Sequence, residues 1–170
     1  MYFTRFPKIS YNQQSVTNVL ARVKLQDALK SNITVFLPYT VAEGERPSDI
    51  AGFYYDDPFY DWLVLLSNEV IDPYFEWPMT TFEFNEFIKK KYGSLATAQS
   101  QIKHYKHNSK ELTITNDTYT LMSSGHGNYS AVYAYDYENE LNENRRVVRL
   151  LDKSYKDVAL RDLKRVLNGG

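Results

Sequence analysis

The stretch Pro38–Pro78 decides the fold and reads PYTVAEGERPSDIAGFYYDDPFYDWLVLLSNEVIDPYFEWP. It holds five of the six prolines and both tryptophans of the chain. Tyr39–Val41 is aromatic and β-branched, which is typical of a strand on a half-buried surface. Glu43–Glu45 predicts a turn around a glycine. Pro47–Ser48 then predicts the start of a short helix, with Ser48 as its N-cap.

A second helix is predicted directly after the first. Asp57 is a suitable N-cap, and Pro58 falls at the first helical position, where its missing N–H is not needed. The helix Phe59–Ser67 is apolar on nearly every side, which indicates burial. Its length of about 10 residues is far below the roughly 20 needed to cross a bilayer. Asn68 is expected to end it in the left-handed conformation.

The stretch is expected to close with a turn at Asp72–Pro73 and a return strand that contains Tyr74, Phe75 and Trp77. The predicted order is therefore β-α-α-β. Truncation of Trp62 to alanine is expected to cost ~3–5 kcal/mol and to prevent folding. The residues expected to form the core of this unit are Tyr39, Ile50, Phe59, Trp62, Leu63 and Leu66.

The pattern YTVxxGExPSDIAxxYY in this stretch resembles a LysM module, a small βααβ unit. The longer string RPSDIAGFYYDDPFYDWLVLLSNEVIDPYFEWP resembles the small baseplate wedge subunit of contractile-tailed phages, the protein-53 family of T-even-like phages. Asp61 stretches the family spacing by one residue, and Phe75 replaces a second tyrosine. The positions that fit are Arg46, Pro47, Ala51, Tyr54, Pro58, Tyr60, Trp62, Leu65, Asn68, Asp72, Pro73, Tyr74, Trp77 and Pro78.

A second match lies outside this stretch, at the start of the chain. The family opens with an FxxFPxIxY-like string, matched here by Phe3, Phe6, Pro7, Ile9 and Tyr11. The residues around it alternate aromatic and polar side chains and include a proline, which indicates an extended arm or an edge strand. Such an arm needs another surface for its apolar side chains.

The resemblance implies an α+β fold with a LysM-like βααβ core, an extended N-terminal arm, additional helices and a C-terminal strand and helix. It also implies a structural virion protein, a baseplate wedge subunit that binds and joins wedge components. Its partners would be other wedge proteins and hub-proximal tail proteins. Its place would be the tail baseplate, assembled in the host cytoplasm.

The alternative is a LysM-type carbohydrate-binding module for N-acetylglucosamine polymers such as peptidoglycan or chitin. Its groove would lie between the loops Glu43–Pro47 and Asn68–Pro73. Glycan-binding modules of this kind usually come as repeats on polar linkers, whereas this chain has one copy and no such linker. The structural hypothesis is therefore favoured, with residual glycan affinity left open.

Composition excludes several function classes. The 20 basic and 21 acidic residues give a net charge of −1, which argues against a general nucleic-acid binder. The absence of cysteine excludes disulfides and thiolate chemistry and indicates folding in a reducing cytosol. No signal peptide and no membrane span are expected. The 15 tyrosines favour protein interfaces, because each offers a large rigid surface with a hydroxyl.

The flanking segments carry helix and strand signals of their own. Thr17–Lys30 predicts an amphipathic helix. Thr80 and Glu83 predict a capping box for a helix that Gly93 ends. A short helical turn is expected within 94–101, a hairpin or meander over 102–121, a loop over 123–128 and a strand over 131–137. An exposed polar segment over 138–144, a strand over 145–151 and a last helix capped by Ser154 and Asp157 follow.

Four segments are expected: an N-terminal arm and helix (1–32), the LysM-like core (33–80), a helix and hairpin extension (81–122), and a loop, strand and C-terminal helix (123–170). No catalytic residue, cofactor or metal ligand is predicted. His104 and His107 lie three apart on a strand and would face opposite sides of it, so they would not converge on a metal. His126 is expected in a surface loop. The residues expected at a partner interface are Phe3, Phe6, Tyr11, Arg46, Tyr74 and Trp77.

Overall fold

The computed structural model describes residues 8–17 and 35–167, and helices and short strands are mixed along this part of the chain. The α+β prediction is confirmed. The strands are β1 Lys8–Tyr11, β2 Gln14–Thr17, β3 Phe36–Thr40, β4 Ile102–His107, β5 Thr113–Ile114, β6 Tyr129–Tyr133 and β7 Val147–Leu151. The helices are α1 Pro47–Tyr55, α2 Asp61–Ser67, α3 Pro73–Glu76, α4 Thr81–Tyr92, α5 Leu95–Ser100, α6 Asn116–Leu121, α7 Ala134–Asn144 and α8 Lys156–Leu167. Single turns of 3-10 helix lie at Pro58–Tyr60, His126–Asn128 and Lys153–Tyr155.

The chain divides into two compact units. Of the described residues, the first takes 8–17, 35–41, Glu45–Trp77 and 148–167. The second takes Ala42–Gly44 and Pro78–Val147. Both units are therefore discontinuous in sequence, because Ala42–Gly44 and Pro78–Val147 of the second unit separate the three pieces of the first.

The first unit is built on the strand pair β3 and β7 with helices α1 and α2. The Asp152 N–H donates to the Val35 carbonyl at 2.8 Å, so the end of β7 lies beside the start of β3, as in an antiparallel pair. Tyr55 links a helix to this pair, since its buried hydroxyl donates to the Leu151 carbonyl at 2.8 Å. The buried core consists of Val35, Val41, Ile50, Ala51, Tyr55, Leu63, Val64, Val148, Leu150 and Leu151.

The prediction of a return strand at Tyr74–Trp77 is wrong. Residues Pro73–Glu76 form the short helix α3, in which the Asp72 side chain accepts the Tyr74 N–H at 3.0 Å. Pro73 sits in the first turn of this helix, where its missing N–H costs no hydrogen bond. The strand that pairs with β3 is β7, far along the chain.

The helix boundaries of the first unit are close to those predicted, but the capping residues differ. Arg46, not Ser48, is the N-cap of α1, because Pro47 already occupies the first helical position. Asp57 is confirmed as a cap, since its side chain accepts the Phe59 N–H at 2.9 Å. Asn68 follows α2 but is not left-handed: its φ is −106°, and Glu69 takes the positive φ of 58°.

Near the N-terminus, β1 and β2 form an antiparallel hairpin in which Tyr11 faces Gln14. The sequence predicts an extended segment here, but it does not predict that β2 pairs with it. Thr17 belongs to β2, and the rest of the helix predicted over Thr17–Lys30 lies outside the described residues.

The second unit begins with the predicted capping box. The Glu83 N–H donates to Thr80 Oγ1 at 3.2 Å, and the Thr80 N–H donates to Glu83 Oε2 at 2.9 Å. Gly93 ends α4 with a φ of 86°, a conformation in which glycine has no steric cost. Phe84, Ile88 and Ala98 of α4 and α5 form the buried core of this unit.

Three expectations for the second unit hold only in part. Tyr119 and Leu121 belong to the helix α6, because Thr115 accepts the Thr118 N–H and caps a helical turn. The strand expected over 131–137 divides at Tyr133 into β6 and α7. The segment expected to be exposed, 138–144, lies in α7 and is exposed except at Glu138 and Asn142, which are buried.

The polar groups that α7 buries are matched by partners. Glu138 Oε1 accepts hydrogen bonds from Lys91 Nζ at 2.8 Å and from the Tyr92 hydroxyl at 2.7 Å. The Asn142 carboxamide binds both backbone groups of Met79, at 2.8 and 3.1 Å. Polar residues can therefore form the inner face of this helix.

The strand predicted over 145–151 is confirmed as β7. The last helix is confirmed, but its entry differs. The Asp152 side chain accepts the Ser154 N–H at 2.8 Å and caps the 3-10 turn that leads into α8.

Candidate interaction surface

The most prominent surface feature of the first unit is the segment Ile71–Glu76, six consecutive exposed residues. Three of them are large and apolar: Tyr74 is 83% exposed, Phe75 67% and Ile71 66%. The Tyr74 and Phe75 rings meet edge to face with centroids 4.8 Å apart. Apolar side chains this exposed, and adjacent to one another, make this segment a candidate surface for association.

Hydrogen bonds hold this segment in one conformation. The Glu76 carboxylate accepts the Ile71 N–H at 2.6 Å and the Asp72 N–H at 3.2 Å. The Asp72 carboxylate accepts the Tyr74 N–H in turn. The segment is therefore a closed turn that presents its rings outward, so little conformational entropy is lost when a partner binds it.

Trp77 anchors the segment to its unit. Its ring N–H donates to the Glu45 carbonyl at 2.9 Å, and its ring is packed against the buried core. The Tyr39 hydroxyl donates to Glu45 Oε1 at 2.7 Å on the same loop. This hydrogen bond, followed by burial and the negative charge of Glu45, raises the pKa of Tyr39 to about 12. Trp77 was predicted as a contact residue, and its half-buried position shows that it also supports the loop before α1.

A second pair of exposed aromatic residues lies on α1 and the 3-10 turn that follows it. Phe53 is 77% exposed and Phe59 is 85% exposed. The two elements are in contact at Gly52, where an added Cβ would lie 3.4 Å from Pro58 Cγ, an ordinary van der Waals distance. The prediction that Phe59 belongs to the core is wrong. The 3-10 turn breaks the helical spacing before α2, so residue 59 is carried outward while Leu63 and Val64 are buried.

Phe53 was missed by sequence reasoning, although a signal for it existed. Ile50, Ala51 and Tyr55 are buried and Tyr54 packs against them, so the opposite face of α1 contains Phe53.

The other residues predicted for the core lie at different depths. Ile50 and Leu63 are fully buried. Tyr39 and Trp62 are partly buried and pack against the core, and Leu66 is partly buried.

The residues predicted for the interface also differ in exposure and in their place in the fold. Tyr74 is the most exposed of the described aromatic residues in this set. Tyr11 is 66% exposed at the end of β1. Arg46 is exposed, and its N–H donates to Asp49 Oδ2 at 3.0 Å. Phe3 and Phe6 lie outside the described residues.

The histidines take part in separate ring contacts. His104 meets Tyr137 edge to face, and His107 meets Tyr129 in the same way. His126 contacts Tyr119, which is itself stacked on Tyr105 with centroids 3.7 Å apart. Within residues 8–17 and 35–167, no three acidic, cysteine or histidine side chains group so that they could hold a metal ion. The helices of the same ranges include none that is long and apolar enough to span a membrane.

Comparison with known proteins assigns the chain to a family. The family model of base plate wedge protein 53 matches residues 1–118. A curated relative, baseplate wedge protein gp53 of Enterobacteria phage T4, is 22% identical over 189 residues, covering 98% of this chain and 96% of the relative. The chain therefore belongs to the base plate wedge protein 53 family and is a structural component of the phage tail base plate.

Proposed function

We propose that this protein joins components of the base plate wedge by adhesion, with the segment Ile71–Phe75 as a principal contact. The observation that carries the proposal is the exposure of Ile71, Tyr74 and Phe75 on a turn closed by hydrogen bonds. A partner that covered these side chains would remove a large aromatic area from water. Its partners are other wedge proteins and hub-proximal tail proteins.

The first test measures binding to purified wedge and hub-proximal proteins of the same phage by pull-down and analytical ultracentrifugation. The double variant Tyr74→Ser/Phe75→Ser is expected to lose binding and to keep its thermal unfolding midpoint, because both side chains are exposed. Phe82→Ser, which removes a ring 75% exposed on α4, is the matched control. Unchanged binding by the double variant, in a folded protein, contradicts the assignment of this surface.

The N-terminal segment forms a second part of the proposal. Phe3 and Phe6, with Tyr11 of the hairpin, would add aromatic contacts to a neighbouring subunit. Deletion of residues 1–11 is expected to weaken partner binding. A deletion variant that binds all partners at full strength removes this segment from the interface.

The alternative function, binding of N-acetylglucosamine polymers by a LysM-like unit, is favoured by one contact. The ring N–H of Trp77 binds the carbonyl of Glu45, which brings the segment after α2 to the loop before α1. These are the elements that a shallow glycan groove would need, and the exposed ring of Tyr74 could stack on a sugar. Co-sedimentation with insoluble peptidoglycan and chitin tests it, with Glu45→Lys and Pro73→Gly as the loop variants. Saturable binding that the variants lose supports glycan recognition, and no binding leaves adhesion as the function.

A further inference from the structure

A groove in the second unit is a separate candidate site. It has a volume of about 550 Å³ and lies between the sheet β5-β4-β6 and the helix α7. Its volume is within the range of pockets that bind specific ligands. Part of its lining comes from residues after 118, beyond the match to the family model. The groove belongs to the second unit, whereas the wedge-joining surface proposed above belongs to the first.

The basic side of the groove is made by a β-bulge. Lys103, His104 and Lys106 all line the groove, although neighbours on a regular strand face opposite sides. Between β4 and β6 the register shifts, with Ile102 opposite Tyr133 and His104 opposite Val132, so Lys103 is an extra residue. Bulges re-aim side chains and are common beside functional sites. Here the bulge adds a second ammonium group to the one on Lys106.

The opposite wall is one stripe of α7. Tyr137, Glu140, Leu141 and Asn144 follow the spacing of three and four residues that puts side chains on one helix face. The other face of α7 packs into the unit through Ala134, Glu138 and Asn142. The side chains of α7 that line the groove therefore do not form part of the buried core, and Leu141 is 39% exposed.

The groove combines positive charge with an apolar floor. Lys103 and Lys106 are exposed, and among the described residues that line the groove Glu140 is the one carboxylate. Tyr137 contacts two of the basic side chains. Lys103 Nζ lies 5.4 Å from the centroid of its ring, and the His104 ring meets the same ring edge to face. Ile114, Val132 and Leu141 contribute the apolar surface. The formal charge of the groove lining is thus positive, although the net charge of the whole chain is −1.

We propose that this groove binds an acidic segment of a partner protein. Two carboxylates of the segment would pair with Lys103 and Lys106, and an apolar side chain between them would cover Ile114, Val132 and Leu141. A densely charged polyanion such as a nucleic acid fits less well, because Glu140 and the apolar floor oppose a continuous row of phosphates. Complementary charge selects the partner, and the apolar contact keeps it bound.

The test uses the full chain and an array of octapeptides that represents such segments. Each peptide carries two glutamates separated by one or two positions, with Leu, Ile, Val, Ser or Gly elsewhere, and has a partner in which glutamine replaces both glutamates. Dissociation constants are measured by fluorescence polarisation. The variant Lys103→Gln/Lys106→Gln is compared with Lys90→Gln/Lys110→Gln, which removes the same charge from exposed positions outside the groove.

We expect the best glutamate peptides to bind at least about tenfold more tightly than their glutamine partners, and the groove variant to lose this preference. The control variant should keep it, and Leu141→Ser should weaken binding while leaving the preference for glutamate. The proposal is overturned if no glutamate peptide exceeds its partner, or if both lysine variants lose affinity equally. Displacement of the peptide by oligothymidylate at equal concentration would also overturn it, in favour of nucleic-acid binding.

Discussion

Ser67 places a hydroxyl in the core of the first unit without a partner. Its side chain is fully buried at the end of α2, and its Oγ makes no hydrogen bond with any other described residue. An unsatisfied buried hydroxyl lowers stability by about 1–3 kcal/mol. Ser67→Ala is therefore expected to raise the free energy of unfolding by about 1 kcal/mol, as measured by urea denaturation. Ser100→Ala, at an exposed position, is the control, and a destabilised Ser67→Ala would show that the hydroxyl is bonded after all.

Glu138 makes the second unit sensitive to acid. Burial raises the pKa of Glu138, but the hydrogen bonds from Lys91 and Tyr92 outweigh it, so the pKa lies below its ordinary value of 4.5. A carboxylate whose pKa is lowered by folding stabilises the protein fully above the unfolded pKa, and loses this contribution as the pH falls through the folded pKa. The stabilisation by Glu138 is therefore expected to fade below about pH 4.5.

The variant Glu138→Gln isolates this effect. At pH 7 it should unfold with a free energy lower by about 1–3 kcal/mol, because the charged acceptor of two hydrogen bonds is lost. The gap between the two proteins should narrow as the pH falls from 4.5 to 3, in chemical denaturation monitored by circular dichroism. Glu111→Gln, at an exposed position, should show no such gap. A gap that stays constant over this range would refute the role of the Glu138 charge.

The Asn68 side chain takes the place of a neighbouring strand beside β7. Its Nδ2 donates to the Arg149 carbonyl at 2.9 Å, and its Oδ1 accepts the Arg149 N–H at 2.8 Å. The guanidinium of Arg149 is fixed as well, since Nε donates to the Ser67 carbonyl at 2.7 Å and the group lies over the Phe36 ring. One carboxamide thus satisfies both backbone groups of a strand residue and covers part of the sheet edge.

Removal of this carboxamide should weaken the junction between α2 and β7. Asn68→Ala is expected to cost about 2 kcal/mol, because two backbone groups of a part-buried strand lose their partners. Asn68→Asp should fall between alanine and the native residue, since its oxygen still accepts the Arg149 N–H. Thermal and urea unfolding measure both, with the exposed Asn139→Ala as control. A native-like Asn68→Ala would show that water replaces the carboxamide at this edge.

The elements that sequence predicts well are those fixed by neighbours along the chain. The Thr80–Glu83 capping box and the Asp57 cap depend on bonds within three residues, and both form. The partner of β3 depends on residues of β7 that follow a whole inserted unit, and no local pattern points to them. The same holds for Glu138, whose burial requires Lys91 and Tyr92 of another helix.

The candidate interface was predicted in part for the same reason. Tyr74 is exposed as expected, because the Asp72–Pro73 turn is a local signal. Phe59 was assigned to the core because a helix was expected to begin with it, and a single 3-10 turn reverses its direction. The groove of the second unit could not be predicted, since its lysines converge only through a register shift between two strands.

The core of the first unit depends on the last part of the chain. A protein that ends at residue 118 keeps the whole match to the family model but lacks β7. It would lose Val148, Leu150 and Leu151 from the core, and with them the strand that pairs with β3. We expect this truncated protein to lack the cooperative unfolding transition of the first unit in calorimetry.

An internal deletion gives the complementary measurement. Replacement of residues 79–146 by a short Gly/Ser linker removes most of the inserted unit and keeps β3, α1, α2 and β7. We expect this shorter protein to unfold cooperatively, although it lacks far more of the matched family sequence. A cooperative transition in the protein truncated at 118 would contradict the assignment of β7 to this core.

The separation of β3 from β7 along the chain also delays the pairing of the two strands during synthesis on the ribosome. The inserted segment Pro78–Val147 must be translated before the second strand exists, and at roughly 5–20 residues per second this takes on the order of 4–14 s. During that interval α1 and α2 have been made, but the apolar side chains that β7 covers still lack their partner strand. The inserted unit is complete first, so the earlier part of the chain is the last to close. Rare codons or a slow pause before residue 151 would lengthen the exposure and favour aggregation of the nascent chain.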